Sequence, residues 1–139
     1  MALHIYETRT DLSPGVLYHA ISDVATWPKW DPDLESVTID GDATEGARFV
    51  LRPKGGPNVK LIVTRAKAPE IFEDVALLFL GRMRTLHRYS VDAAGTSIRI
   101  EIETSGLLGW LWDRLVARGQ AAGLAASTQA FIAYARGRA

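Results

Sequence analysis

His87 stands between Thr85 and Tyr89 at alternate positions of a stretch, Arg82–Asp92, that reads as a β-strand. A strand sends successive side chains to opposite faces. Met83, Thr85, His87, Tyr89 and Val91 therefore share one face, and Arg82, Arg84, Leu86, Arg88 and Ser90 the other. The arginine-rich face belongs in water, so Thr85, His87 and Tyr89 point inward. An inward strip this polar has two uses. It can satisfy itself through hydrogen bonds to neighbours, backbone or buried water, or it can supply the few polar anchors of an apolar pocket. An imidazole titrates near neutral pH, which also makes His87, with Tyr89, a candidate acid/base.

A second candidate site is Trp27-Pro28-Lys29-Trp30-Asp31-Pro32. The tryptophans, three apart, project from one side of a single helical turn. They either anchor a short helix to a sheet, with Asp31 capping a turn, or form a lid over a cavity mouth. Tyr18 and His19 read as packing or surface residues of a helix, and His4 carries no assignment. Other chemistries lack their parts. Lys54-Gly55-Gly56-Pro57 sits in a hairpin rather than before a helix, and Pro57 has no amide to offer a phosphate. Histidines at 4, 19 and 87 have no metal-binding spacing. There is no cysteine and no Gly-x-Ser-x-Gly elbow. Arg52, Arg82 and Arg84 could meet an anionic ligand, but exposed strand arginines are ordinarily just solvated. The 16 basic and 16 acidic residues balance, which argues against a nucleic-acid partner. No cofactor and no metal are expected.

These residues need a frame, and the longest element is the stretch Leu107–Arg136. It follows Ser105-Gly106, lacks proline, and carries Leu108, Leu111, Trp112, Leu115, Gly119, Ala122, Ala126, Ala130 and Ala133 at steps of three and four. That spacing predicts one apolar stripe on a helix roughly 45 Å long, with Ser105 as N-cap. The stripe begins bulky and ends in glycine and alanine. Small residues there mean either close helix–sheet contact or a helix that stands off and leaves a cavity; Gly119 and Gly123 mark a possible bend. Upstream, His4–Thr10 reads as a strand. Ser13-Pro14 starts a helix with serine as N-cap and proline at the first helical position. A second short helix begins at Asp23, and Pro28 and Pro32 end it. From Leu34 the period changes to two through six strands, most cleanly at Ile98, Ile100 and Ile102 against Arg99, Glu101 and Glu103. Short connections make those six strands an antiparallel meander, with one face for the helix and one for water. The fold class is α+β.

This order, together with Ser13-Pro14, Asp23-Val24, Trp27-Pro28-x-Trp30-Asp31-Pro32, Asp40-Gly41, Pro53-Lys54-Gly55-Gly56-Pro57, His87-Arg88-Tyr89 and Ser105-Gly106-Leu107-Leu108-Gly109, resembles the START-like, helix-grip superfamily (SRPBCC, Bet v 1-like). The match is closest to its polyketide cyclase/dehydrase-like branch and covers nearly the whole chain. The resemblance implies one domain over residues 1–139. It also implies a hydrophobic ligand held between the sheet and the C-terminal helix.

On both grounds the expected function is binding of a small hydrophobic molecule: aromatic, lipid-like or polyketide-like. The expected wall comprises Trp30, Phe49, Leu51, Leu61, Val63, Leu77, Phe79 and Ile100 from the upstream elements. Trp112, Leu115, Gly119 and Ala122 come from the helix, and Thr85, His87 and Tyr89 supply the polar anchors. The alternative is a cyclase or dehydratase using the same cavity, with His87 or Tyr89 as acid/base. A third reading is a protein–protein adaptor using the exposed sheet face or the helix. The N-terminus has neither basic region nor apolar run of a signal peptide, and no stretch is long enough to span a bilayer. A cytoplasmic monomer or homodimer, without membrane insertion, is expected.

Overall fold

Alternation along Gly95–Ser105 shows how the sheet forms. Thr96, Ile98, Ile100, Ile102 and Thr104 are buried, while Arg99, Glu101 and Glu103 keep some contact with water. The structure is a computed structural model and describes residues 2–139. In chain order it contains β1 (Ala2–Thr10), α1 (Pro14–Ser22), a 3-10 segment (Val24–Lys29), β2 (Leu34–Ile39), β3 (Arg48–Pro53), β4 (Val59–Lys67), β5 (Ile71–Leu78), β6 (Gly81–Asp92) and β7 (Gly95–Ser105). The C-terminal helical stretch follows: α2 (Gly109–Trp112), a π-helical turn (Asp113–Ala117), α3 (Arg118–Ala122) and α4 (Leu124–Arg138).

The seven strands form one antiparallel sheet in the order β1-β7-β6-β5-β4-β3-β2. Strands β2 to β7 are a simple meander, and β1 returns to pair with β7 from Ala2↔Thr104 to Thr10↔Thr96. Register shifts at Leu34/Ser36 and Val63/Arg65 insert extra residues, which bend a strand and increase its twist. The sheet becomes a bowl whose concave side carries the core. Among the described residues no helix is long and apolar enough to cross a membrane.

The convex side is held by charge. Arg84 donates to Glu73 (3.1 Å), Glu101 (3.1 Å) and Glu103 (3.2 Å), and Arg65 donates to Glu73 from Nη2 at 3.1 Å. Arg84 is thus the hub of an ion-pair network, whereas a solvated arginine was expected from its strand position. Arg52 pairs with Glu35 at 3.1 Å. Burial alone would raise the Glu73 carboxyl, but hydrogen bonds from Thr64, Arg65 and Arg84 hold it below its ordinary value.

The helix α1 begins as the sequence predicts: the Ser13 hydroxyl accepts from the Val16 amide, and Pro14 occupies the first turn. It buries Leu17, Tyr18, Ala20 and Ile21. Trp27 folds back from the 3-10 segment and donates its indole N–H to the Ile21 carbonyl at 2.8 Å.

The C-terminal stretch departs from a continuous capped helix over Leu107–Arg136. Ser105 ends β7 instead of capping, and α2 has no side-chain cap. Between them Gly106 adopts φ +92°, and the chain turns tightly against the β5–β6 hairpin, where the Leu108 amide donates to the Leu80 carbonyl at 2.8 Å. A Cβ on Gly106 would lie 2.9 Å from the Gly81 Cα. A π-helical turn then replaces α-helical geometry, and Gly123 (φ −91°, ψ −2°) separates α3 from α4. Gly106→Ala combines the left-handed strain of an L-residue with a backbone clash and should cost about 2–4 kcal/mol. Urea unfolding tests this; a loss under about 0.5 kcal/mol, the range of ordinary surface substitutions, would show that this crossing is not tight.

Candidate functional site

Two independent clamps position the helical stretch over the bowl. At its start, the buried Asp113 carboxylate accepts from His4 Nε2 (2.6 Å) and from Arg118 Nε (3.0 Å). The His4 hydrogen bond, with help from Arg118, lowers this carboxyl against the cost of burial. Trp112 donates its indole N–H to the Phe79 carbonyl at 2.8 Å, tying the same end to the β5–β6 hairpin. At the far end α4 buries Phe131, Ile132 and Ala135, and Arg136 grips Asp11 with both Nη atoms (3.2 and 2.7 Å). Between the clamps, α3 buries nothing.

Under that unburied span lies a cavity of about 640 Å³. Its buried wall includes Leu61, Ala76, Met83, Ile100 and Ile102 of the sheet, and Phe131 of α4. Its exposed wall residues mark the mouth: Pro57 and Asn58 after β3, Leu77 and Phe79 at the end of β5, and Gly119, Gln120 and Gly123 on the helix. Among the expected wall residues, Trp30, Leu51, Leu61, Leu77, Phe79, Thr85, His87, Ile100, Trp112 and Gly119 border this space.

Five others do not. Phe49 and Val63 are buried outside the cavity wall, Phe49 edge-on to Trp27 with centroids 5.6 Å apart. Tyr89 lies one strand position beyond the cavity, 1% exposed, with its hydroxyl unpartnered on the protein. Burial pushes its phenol well above the ordinary range, so Tyr89 does not offer a proton readily. Leu115 is 65% exposed and Ala122 is also turned to solvent. Their displacement has one cause. The π-helical turn takes in an extra residue per turn, so after Trp112 the cavity face passes to Val116, Gly119, Gln120, Gly123 and Leu124. The regular stripe slips by one position.

Just after the 3-10 segment comes Trp30, tilted against Trp27 (6.5 Å) and edge-on to Phe131 (5.1 Å). Its indole N–H is buried without a partner on the protein, as is the Thr128 hydroxyl of α4. Asp31 is half-buried at the rim and accepts from the Asp33 amide at 3.0 Å. Burial raises its carboxyl above the ordinary range, with that hydrogen bond opposing.

The residue most relevant to chemistry is one the pattern search passed over. Asp74 of β5 lines the cavity, is 3% exposed, and no hydrogen bond or ion pair reaches its carboxyl among the described residues. Burial, helped by the charge of Glu73, pushes it up to about 8. A signal was available: Glu73-Asp74 are adjacent in a strand, so a period of two must turn one of them inward. Asp74 pairs across the ladder with Thr85, and His87 pairs with Phe72, which makes Asp74 and His87 diagonal neighbours on one face. His87 keeps some exposed surface, and that surface faces the cavity rather than bulk water. Burial drives its imidazole down to about 4. At neutral pH the site therefore holds a protonated carboxyl, which can donate, beside a neutral imidazole, which can accept. Among the described residues no group of three or more His, Cys, Asp or Glu comes together to hold a metal.

These shifts set opposite pH dependences. His87 binds a proton more weakly when folded, so between about 4 and its ordinary 6.5 stability falls as pH falls. Asp74 binds its proton more tightly when folded, so its contribution is complete below its ordinary 3.8 and is lost as pH rises to about 8. NMR titration of ring-labelled histidine should find the His87 imidazole neutral down to about pH 4. A midpoint at the ordinary 6.5 would mean that bulk water reaches it and that the wall is not closed around it.

Comparison with known proteins agrees with this architecture. Residues 3–136 match the family model described as polyketide cyclase / dehydrase and lipid transport. No curated protein matches the sequence. Among solved structures, the hypothetical protein jhp0584 from Helicobacter pylori has a TM-score of 0.75 at 13% identity, over 96% of this chain and 88% of that one. Norcoclaurine synthase from Thalictrum flavum has a TM-score of 0.74 at 14% identity, over 99% and 95%. Ara h 8.0201 has a TM-score of 0.66 at 14% identity, over 98% and 99%. At such identities the likeness shows a shared Bet v 1-like, helix-grip fold. With the family model spanning almost the full length, the chain belongs to the polyketide cyclase / dehydrase and lipid transport family.

Proposed function

We propose that this protein binds a small hydrophobic molecule in the cavity between the sheet and the C-terminal helix. The observation that carries the reading is the cavity itself. Its volume of about 640 Å³ falls within the roughly 300–1,000 Å³ of small-molecule sites. Its wall is mostly aliphatic and aromatic, with a few polar groups converging from different elements: Asp74, Thr85 and His87 from the sheet, Trp30 and Thr128 from the helical side. Trp30 Nε1 and Thr128 Oγ1 have no protein partner, and a buried donor left unmet costs about 1–3 kcal/mol. A ligand with an apolar body and one or two polar groups recovers that cost. Family membership supports the same reading.

A second reading, a cyclase or dehydratase, has one observation in its favour: Asp74 and His87 sit as a protonated acid and a neutral base on adjacent strands. His87 would take a proton and Asp74 return one, while the cavity shape holds the substrate folded. Tyr89, outside the wall, has no part in it. His87→Ala distinguishes the two readings, since loss of turnover with retained affinity belongs to the enzyme only.

Ala76 lies on the cavity floor between its ladder partners Leu61 and Met83. Ala76→Phe places a ring in the cavity and should weaken binding of a neutral, polarity-sensitive naphthyl dye by roughly tenfold or more. Dye fluorescence reads the affinity and circular dichroism checks the fold. A folded variant that binds as the wild type does would place the dye elsewhere and sink the cavity reading.

A further inference from the structure

We infer that the cavity selects a lipophilic amine, a hydrophobic body carrying a protonated nitrogen, and that Asp74 is the counter-ion that receives it. This rests on the binding reading above and narrows it to a ligand class.

The first ground is the sign of the wall. Its carboxylic residues are Asp31, Asp33 and Asp74, and no lysine or arginine borders the cavity among the described residues. A fatty acid or other anionic ligand would bring its charge into an apolar space holding acids and no cation. Burying an unpaired charge that way is costly. An ammonium finds the reverse.

The second ground is the state of Asp74. Its neighbour Glu73 points to the convex face and is bound by Thr64, Arg65 and Arg84. Arg65 of β4 and Arg84 of β6 are thereby committed to the far side of the sheet, and no hydrogen bond or ion pair reaches Asp74 inside. A buried carboxyl with no donor and no cation stays protonated. Below its raised value of about 8, a cation joining it favours the anion. Within an ion pair with an ammonium that penalty is offset by direct contact and charge-assisted hydrogen bonds.

The coupling between binding and protonation follows. Below pH 8 the free protein carries Asp74 protonated, so capturing an ammonium releases one proton. Affinity should rise about tenfold per pH unit up to that point and then level off. The titratable groups facing Asp74 are few. From β6 the only one is His87 on the diagonal; Thr85 directly across the ladder and Val63 of β4 do not titrate. From α1 the buried titratable group is Tyr18, edge-on to Phe72. Asp31 and Asp33 lie on the rim, and Glu73 acts from behind. His87 titrates far lower, near 4, and burial raises Tyr18 above its ordinary 10, so neither supplies the step near pH 8.

Isothermal titration of the full chain with decylamine, decanol and decanoate tests this, since the three share a body and differ in the head. At pH 8.5 decylamine should bind at least about tenfold more tightly than decanol, and decanoate most weakly. Its affinity should climb between pH 6 and pH 8, with proton release measured from heats in two buffers. In Asp74→Asn the amine-to-alcohol ratio should collapse towards one. If decanol or decanoate binds as well as the amine, or the wild-type amine affinity is flat from pH 6 to pH 8, the amine assignment is overturned. If the ratio survives Asp74→Asn, Asp74 is not the counter-ion. If none of the three binds wild-type protein, the binding reading fails with it, an outcome separate from the others.

Discussion

The structure depends on a helix that is fixed at both ends and unsupported between them. His4, Arg118 and Trp112 secure the first turns through Asp113 and the Phe79 carbonyl; Arg136 and the buried face of α4 secure the last. The bonds from His4, from Trp112 and from Arg136 each join residues far apart in sequence, so they tie the cover to the bowl. Most of the intervening residues are small: Gly119, Ala121, Ala122 and Gly123. Larger apolar residues at Gly119 and Gly123, which border the cavity, would extend into it and gain burial worth up to roughly 1.5–3 kcal/mol each. Forgoing that burial, and accepting glycines that weaken a helix by about 1 kcal/mol each, is how the chain keeps an interior open.

β5 shows how the two sides of one sheet carry opposite electrostatics. Glu73 and Asp74 bear the same functional group in adjacent positions. On the convex side Glu73 meets three donor residues, and its carboxyl is held charged. On the concave side Asp74 meets apolar walls and becomes a neutral acid. A strand inverts environment every residue, so no change of backbone is needed to produce the contrast. The network around Arg84 has a second effect. It gathers Glu73, Glu101 and Glu103 around one guanidinium, neutralising acids that would otherwise repel across neighbouring strands and weaken the sheet where it curves.

What the sequence discloses follows from how local the cause is. Ile98, Ile100 and Ile102 alternate with charges because β7 has one wet and one dry face, and a period of two is enough to read it. Ser13-Pro14 starts a helix by its own chemistry. The same period turns Thr85 and His87 to the concave side. The helix half of the wall was not legible, because a π-helical turn has no residue signature. Val116 stands on the cavity face in place of Leu115 because the winding changes from Asp113 on, beside two contacts, His4–Asp113 and Trp112–Phe79, that are long-range. Tyr89 shares the face of His87, yet where the bowl closes around α1 is a matter of curvature, which alternation does not encode. Asp74 was legible in principle, but choosing between it and Glu73 requires knowing which side Arg65 and Arg84 occupy.

The inner wall of the site is nearly free of formal charge at neutral pH, and this is a consequence of its two buried titratable groups, His87 and Asp74, moving in opposite directions. Between about 4 and about 8, His87 has lost its proton and Asp74 has kept one. A conventional pair would do the reverse, His87 positive and Asp74 negative, and would bind itself shut across the floor. Diagonal placement with no hydrogen bond between them prevents that closure and leaves each facing the cavity. The acid then has a donor to offer and the imidazole an acceptor, and neither is spent on the other. A ligand that enters replaces no internal bond. It needs to cover only its own desolvation and the proton that Asp74 gives up, so the polarity of the site is held in reserve by burial alone.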